Sequence, residues 1–214
     1  MRTEPASLDR RQRKKAETRQ RLLDAATRLF AKQGFEATRP QDIARDADVA
    51  VGTFYLHFGD RRDAFLAFTE RAAEDLLDFA RQRVSDEDGF EVRLRSWLEA
   101  ILDYMDENPG VVGAAFANEA VIGADPRGRA GSLRDRLAHG LAEWIGRGIA
   151  LGSFRADYDP KLVAYAMVGL IQQALTHGTQ LGLERDAVLD QITRFCARAL
   201  VDPAATAAGT GEPE

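Results

Sequence analysis

The spacing of apolar residues limits this chain to a helical fold. Along most of its 214 residues, apolar side chains recur at intervals of three and four, which gives an α-helix one buried face. In the first such segment, Leu22, Ala26 and Phe30 fall on one face. Ala, Leu, Arg, Glu and Asp dominate the composition, which favours helices. No segment shows convincing strand alternation, and no internal repeat stands out. The sequence therefore predicts an all-α protein.

Glycine, proline and capping residues divide the chain into nine or so helices. Gly34 is predicted to end the first helix, which starts near Arg11. Thr38 and Gln41 are predicted to form a capping box at the start of the second, with Pro40 in its first turn. The third is short, and Asp60 is predicted to cap the fourth. The remaining five are predicted at about residues 90–108, 111–122, 129–151, 161–181 and 185–201.

Composition and cysteine count indicate a globular protein of a reducing compartment. The chain is 45% hydrophobic and 29% charged, and its one cysteine, Cys196, permits no intrachain disulfide. Because no apolar segment follows Met1, we expect no secretory signal. These features predict a cytoplasmic location.

The longest uncharged run, Leu162–Leu183, is long enough to span a bilayer. It contains several polar side chains, including Gln172, Gln173 and His177, which are costly in hydrocarbon. We therefore predict a buried or dimer-forming helix and no membrane association.

Charge is distributed unevenly along the chain. The overall net charge is −5, but residues 1–62 contain 14 basic and 9 acidic side chains, and the remainder contains 15 basic and 25 acidic. Seven of the residues from Arg10 to Arg21 are basic, and only Glu17 is acidic. Taken alone, such a run is typical of a solvated terminus, but a basic segment on an acidic body also suits a polyanionic partner.

The second and third helices form a tight corner after a longer helix, which is the helix-turn-helix layout. On a helical wheel, Val51, Phe54 and Phe58 of the third helix group on one side and are predicted to be buried. The residues on the outer side are too polar for a protein core, and they do not include the Lys and Glu that are typical of a solvent-exposed helix. It consists of Gly52, Thr53, Leu56 and His57, with Tyr55 at the edge. This composition predicts a helix that contacts another molecule.

The segment Thr18–Phe68, "TRQRLLDAATRLFAKQGFEATRPQDIARDADVAVGTFYLHFGDRRDAFLAF", resembles the DNA-binding domain of the tetracycline-repressor (TetR) family. The specific stretches are "LFAKQGFEAT", "DIARDADVAVGTFYLHF" and "FGDRRDAF". The resemblance implies a homodimeric regulator, most often a repressor, that binds double-stranded DNA at a palindromic operator and is released by a small apolar effector. This sequence departs from the family pattern at Ala50, where a capping Ser is common, and at Val51, where a polar residue is common.

The resemblance also implies DNA contacts. Thr53, Tyr55 and His57 match positions that touch phosphates or bases, while Arg61 and Arg39 match phosphate contacts at two helix starts. The full predicted set also includes residues of the outer face and of the basic run, namely Gly52, Leu56, Arg13, Lys14 and Lys15. Beside this motif, the basic run is interpreted as an arm that follows the phosphates or enters the minor groove.

The C-terminal body of that family dimerises through its last two helices and holds a small-molecule pocket. The dimer interface is accordingly predicted at Leu162, Gly169, Leu189, Ile192 and Phe195. Candidate pocket residues are Trp97, Ile101, Tyr104, Met105, Phe116, Asn118, Trp144, Gln172, Gln173 and His177. Taken singly, each of these is more often ordinary core or surface.

Four segments follow from these patterns: a flexible basic arm over 1–15, a helix-turn-helix domain over 16–62, a helical regulatory and dimerisation domain over 63–201 and a disordered tail over 202–214. Two alternatives remain open at this point: a helical DNA-binding protein with no effector, and a small helical enzyme. The enzyme alternative has little support, because the sequence has no His-x-x-x-His, Cys-x-x-Cys, Gly-x-Ser-x-Gly or phosphate-binding glycine loop. We predict no cofactor, no metal site and no catalytic residues.

Overall fold

The computed structural model describes residues 5–84, 89–117 and 133–201, and over these ranges the chain forms nine helices. They are α1 (Pro5–Ala37), α2 (Pro40–Asp46), α3 (Val51–His57), α4 (Arg61–Arg81), α5 (Phe90–Glu107), α6 (Val111–Ala117), α7 (Leu133–Ala150), α8 (Pro160–Gln180) and α9 (Arg185–Leu200). The predicted all-α class is confirmed. The predicted tail and the predicted helix ends near 122 and 129 lie outside the described residues.

Local signals account for several of the helix boundaries. Gly34 adopts a left-handed φ of 78° and interrupts α1 where the sequence predicts a stop. Pro40 opens α2 as predicted. At α4, the Asp60 carboxylate accepts a hydrogen bond from the Asp63 amide at 2.8 Å, which is the predicted cap. The Asp63 carboxylate in turn accepts one from the Gly59 amide at 3.1 Å.

The predicted capping role of Thr38 is wrong. Arg39 occupies the N-cap position of α2, and no side chain caps that helix. The Thr38 hydroxyl instead donates to the carbonyl oxygen of Gly34 at 2.8 Å. The glycine kink frees this carbonyl from the helical pattern, and the buried threonine satisfies it.

Helix α1 begins at Pro5, before the start near Arg11 that the apolar pattern predicts. The basic run therefore belongs to a helix that extends directly into the first apolar segment. Its Arg, Lys, Gln, Ala and Glu residues have high helix propensity, so the helix continues without an apolar face to bury.

The chain forms two compact units. The first comprises residues 1–74 and 107–132, and the second comprises residues 75–106 and 133–214. Helix α4 begins in the first unit and ends in the second. This grouping differs from a linear division at residue 62, because α6 packs on α1 in the first unit.

A cluster of phenylalanines forms the core of the first unit. Phe30 of α1 contacts Phe65 and Phe68 of α4, with ring centroids 5.0 and 5.5 Å apart. Phe35 lies 5.0 Å from Phe65. These rings lie almost entirely out of solvent and hold the start of α4 against α1.

In the second unit, α8 packs against α7 and α9. Two arginines add ion pairs between α5 and α9. Arg95 of α5 contacts Asp186 and Asp190 of α9, and Arg185 of α9 contacts Asp103 and Asp106 of α5. The same unit contains Cys196, whose burial raises its thiol pKa to about 11, so the thiol stays protonated at neutral pH.

Candidate nucleic-acid interface and ligand cavity

Helix α3 has one buried face and one open face. Phe54 and Phe58 are 0% and 1% exposed, as the wheel predicts, and their rings lie 5.6 Å apart. Val51 is 38% exposed, so its predicted burial is wrong. It is the first residue of a seven-residue helix.

The open face of α3 presents the predicted contact residues. Leu56 is 77% exposed and Tyr55 50%, and the Tyr55 ring rests edge-on against Phe54. Gly52 is exposed, while Thr53 is half-buried. No side chain caps the helix at Ala50, as its residue type predicts. The face is therefore small, mostly uncharged and built on two anchored aromatic rings.

The basic run of α1 borders this face. Burial lowers the pKa of His57 at the end of α3, and the positive charges of Lys15 and Arg19 lower it further. The Arg19 guanidinium lies 4.8 Å from the centroid of the Phe58 ring. Because its pKa lies below the ordinary value for histidine, His57 is predominantly neutral at pH 7, and Lys15 and Arg19 of α1 contribute positive charge at this end of α3.

Some other basic side chains of the first unit are exposed to solvent, whereas others form hydrogen bonds within the chain. Arg13, Lys14 and Arg39 are exposed. Arg21 instead donates to the carbonyl oxygens of Ala47 and Asp48 at 2.5 and 3.1 Å and so secures the turn between α2 and α3.

Arg61 has an intramolecular role that its predicted phosphate contact did not anticipate. Its Nη1 donates to the carbonyl oxygens of Phe35 and Glu36 at 3.1 and 2.8 Å, and its Nη2 contacts the Glu36 carboxylate at 3.2 Å. The guanidinium also lies 4.0 Å from the Phe35 ring centroid. It thus satisfies carbonyls at the end of α1 from the first residue of α4.

These contacts predict a stability effect. Arg61→Ala should lower the free energy of unfolding by about 2 kcal/mol, because hydrogen bonds from a charged donor to backbone carbonyls are lost. Arg61→Lys should recover only part of it, since an ammonium cannot reproduce the fork. Urea denaturation followed by circular dichroism would measure both. Arg45→Ala is the matched control, because Arg45 is exposed and pairs with Asp42 across one turn of α2, so its loss should change stability by less than about 0.5 kcal/mol.

The second unit contains a partly open cavity of about 550 Å³. Its walls come from α4, α5, α7 and α8, and both tryptophans of the chain contribute to them. The lining residues are Leu77, Arg81, Val84, Arg93, Leu94, Trp97, Leu137, Gly140, Leu141, Glu143, Trp144, Arg147, Val168 and Ile171. This volume and apolar lining are typical of small-molecule sites.

Of the predicted pocket residues, the structure brings Trp97 and Trp144 to the cavity. The others that it describes do not line it: Ile101, Tyr104, Met105, Phe116, Gln172, Gln173 and His177. Phe116 belongs to the first unit, and Asn118 lies outside the described residues. The predicted polar anchors have other surroundings: Gln172 accepts a hydrogen bond from Arg134 at 2.8 Å, and Gln173 and His177 are exposed.

Sequence reasoning missed the charged part of the lining. Arg93 and Trp97 are four residues apart on α5, and Gly140, Trp144 and Arg147 follow one another at helical spacing on α7. Extending each tryptophan along its own helix face by one turn would have found these arginines.

The predicted dimer residues fall into two groups. Leu162 and Phe195 are 71% and 59% exposed, whereas Leu189 and Ile192 are buried within the chain. Gly169 is half-buried beside Arg134. Leu189 and Ile192 are therefore intrachain core, because α9 turns that face toward its own unit. Only the opposite face of α9 remains open to a partner.

Within the described ranges, no group of His, Cys, Asp and Glu side chains could hold a metal ion. No helix in those ranges has the length and apolarity that crossing a bilayer requires.

A short helix anchored by two phenylalanines, with an open outer face bordered by basic residues, defines a helix-turn-helix DNA-binding protein. Residues 22–68 match the family model for bacterial regulatory proteins of the tetR family, and residues 91–193 match the tetracyclin repressor-like C-terminal domain. The chain belongs to the TetR family and is a DNA-binding transcriptional regulator.

The chain is 25% identical over 181 residues to the transcriptional activator FasR of Mycolicibacterium smegmatis, covering 84% of this chain and 81% of the relative. Among solved structures, a tetR-family transcription regulator from Shewanella sp. PV-4 aligns with a TM-score of 0.70 at 20% identity, over 86% of this chain and 98% of the other. A SmeT–triclosan complex aligns with a TM-score of 0.61 at 21% identity, over 87% and 93%. The two structures share the fold of this chain.

Proposed function

We propose that this regulator is a homodimeric repressor that binds a palindromic operator and leaves it when a small, largely apolar molecule occupies the cavity. The cavity in the second unit carries this proposal, since a regulator without an effector would have no need for a 550 Å³ apolar space in that unit. A relative named a transcriptional repressor, DhaR of Mycobacterium sp., is 24% identical over 86% of this chain and 92% of its own length and supports repression. The SmeT–triclosan complex shows a small molecule bound to a protein of this fold. A regulator of bacterial DNA would act in the cytoplasm.

Helix α4 offers a route between effector and DNA. Three residues separate it from α3, and its later residues Leu77 and Arg81 line the cavity. A ligand that binds better when α4 is displaced would favour a conformation in which the two α3 helices of a dimer no longer match adjacent major grooves. Operator affinity would then fall by population shift, without any ligand contact to DNA.

The DNA contacts in this proposal follow exposure and charge. Leu56 and Thr53 would contact base edges, with the leucine suited to thymine methyl groups. Tyr55 would contact a phosphate, and Gly52 and His57 would allow close approach of the backbone. The basic side chains Arg13, Lys14, Lys15 and Arg39 would contact phosphates. Arg61 would act by positioning α4 beside α3, through the carbonyls that it binds.

The dimer would form through the open faces of α8 and α9. Exposed apolar side chains such as Leu162 and Phe195 are costly in water and are suited to a two-fold interface. Two copies of α3 at a fixed spacing would then read two half-sites of an inverted repeat.

DNA selection tests the proposal. The purified full-length protein, incubated with random duplex DNA, should retain fragments that share an inverted repeat. Thr53→Ala should change the preferred bases, and Lys15→Gln should weaken binding at every sequence and reduce the salt slope by about one. Lys32→Gln, a change at an exposed position of α1 outside the proposed contact set, is the control for lost charge. Recovery of fragments without a shared repeat would contradict operator recognition, and equal losses on all sequences with Thr53→Ala would contradict base contact by that residue.

A further inference from the structure

The lining of the cavity includes a buried floor and an exposed rim. The floor residues, which are buried, are Leu94, Leu137, Val168 and Ile171. The rim residues, which are exposed, are Arg81, Gly140, Glu143 and Arg147. Three of the rim residues have long side chains, whereas Gly140 has none. The rim is therefore lowest at Gly140, where the helix backbone itself forms the wall.

Packing does not explain why position 140 is a glycine. Gly140 lies in the interior of α7, where glycine is less favourable than alanine. Within the described part of the chain, a Cβ at Gly140 would have no neighbour within 4 Å beyond its own helix turn. Gly148 of the same helix is different, because a Cβ there would overlap the ring of Phe154. The missing side chain at Gly140 thus leaves space that belongs to the cavity.

The space at Gly140 has apolar sides. Leu137 lies one turn before Gly140 and Trp144 one turn after it, on the same face of α7, and both line the cavity. The Trp144 ring stacks on Phe90 with centroids 5.0 Å apart and packs edge-on against Phe154 at 5.2 Å. These contacts fix the position of the indole, so it does not fill the space. Leu137, Gly140 and Trp144 therefore form a notch in the cavity wall.

We propose that this notch accepts a bulky, ring-containing group of the effector, and that Gly140 is the residue that determines specificity for such a group. This inference rests on the proposed effector function and narrows the effector to a class of shapes. A ring can lie against the bare helix backbone and the indole of Trp144, where close packing gives many dispersion contacts. The remainder of the ligand reaches the floor, where burial of apolar surface favours binding. An unbranched chain is too thin to fill the notch and gains less from it.

Two alcohols of equal carbon number, 1-adamantanol and 1-decanol, separate the effect of shape from that of polarity. The full-length protein is titrated with each, and tryptophan fluorescence reports binding because both tryptophans of the chain line the cavity. Gly140→Phe should reduce adamantanol affinity about tenfold or more, since the new ring would occupy the notch. Decanol affinity should change by less than about threefold, because a thin chain can pass beside that ring. Gly140→Ala, which adds one methyl group, should have an intermediate effect on adamantanol.

Gly146→Phe is the matched control. Gly146 also lies within α7 and has open space around it among the described residues, but it is not part of the cavity lining that they form. The two phenylalanine variants carry the same change in helix propensity, so a difference between their affinities reports the notch.

The outcomes separate this inference from the function on which it rests. If Gly140→Phe has no effect, weakens both alcohols equally or behaves like Gly146→Phe, the role of the notch is overturned while the effector cavity stays in place. The same holds if the wild-type protein binds decanol but not adamantanol. A wild-type fluorescence signal that neither alcohol changes would overturn both the inference and the ligand-released function.

Discussion

Phe195→Glu is expected to convert the protein to a monomer and to lower its operator affinity by about 100-fold or more. Phe195 is an aromatic residue with 59% of its surface exposed on the open face of α9. A charge at that position would have to be desolvated in a dimer, opposite its own copy. Once the two reading heads are uncoupled, the second half-site no longer binds at high effective concentration, and the gain of about 10² to 10⁴ from linkage is lost.

Sedimentation velocity measures the oligomeric state, and DNA titration measures affinity for the full and half operators. Val92→Glu is the matched control, because Val92 is 55% exposed on α5, which the proposal leaves outside the interface. The variant should remain dimeric with unchanged operator affinity. A Phe195→Glu protein that sediments as a dimer would place the interface elsewhere on the molecule.

Gly110→Ala is expected to destabilise the first unit by about 3 kcal/mol, while Gly113→Ala, three residues away, should stabilise it by about 1 kcal/mol. Gly110 has a φ of +81°, and a Cβ there would overlap with the carbonyl oxygen of Ala31 in α1. Both the left-handed backbone and the backbone contact resist a side chain. Gly113 lies within α6 with open space around its Cα, so alanine brings only its higher helix propensity.

Thermal unfolding followed by far-ultraviolet circular dichroism reports both units, while tryptophan fluorescence reports the second, which contains Trp97 and Trp144. Gly110→Ala should shift the dichroism transition more than the fluorescence transition. If both alanine variants change stability in the same direction, the result would contradict the explanation that position 110 requires glycine because of its close approach to α1.

Helical class and several helix boundaries were determined by the sequence, because their signals are local. A glycine with a left-handed φ, a proline in a first turn and an aspartate at an N-cap act over a few residues, so Gly34, Pro40 and Asp60 could be read directly. The four-residue spacing of Phe54 and Phe58 likewise fixed which side of α3 is buried. The local pattern gave a wrong prediction at Thr38, because its hydroxyl donates to the carbonyl oxygen of Gly34 in α1 and does not cap α2.

What each face packs against was decided by the tertiary structure. Periodicity identifies the apolar residues of α9, but it does not show which of them are buried within the chain. Leu189 and Ile192 are buried and Phe195 is exposed, and this difference depends on how α9 packs against the neighbouring helices. The family resemblance predicts a phosphate contact for Arg61, and no local pattern indicates the hydrogen bond that it donates to the carbonyl oxygen of Glu36, 25 residues earlier in the chain. The cavity is the clearest case, since its arginines are distant in sequence and a long arginine side chain can serve solvent, a salt bridge or a ligand. The signals for helix boundaries lie in neighbouring residues and can be recognised in the sequence. The cavity is lined by four helices, so it forms only when those helices pack together.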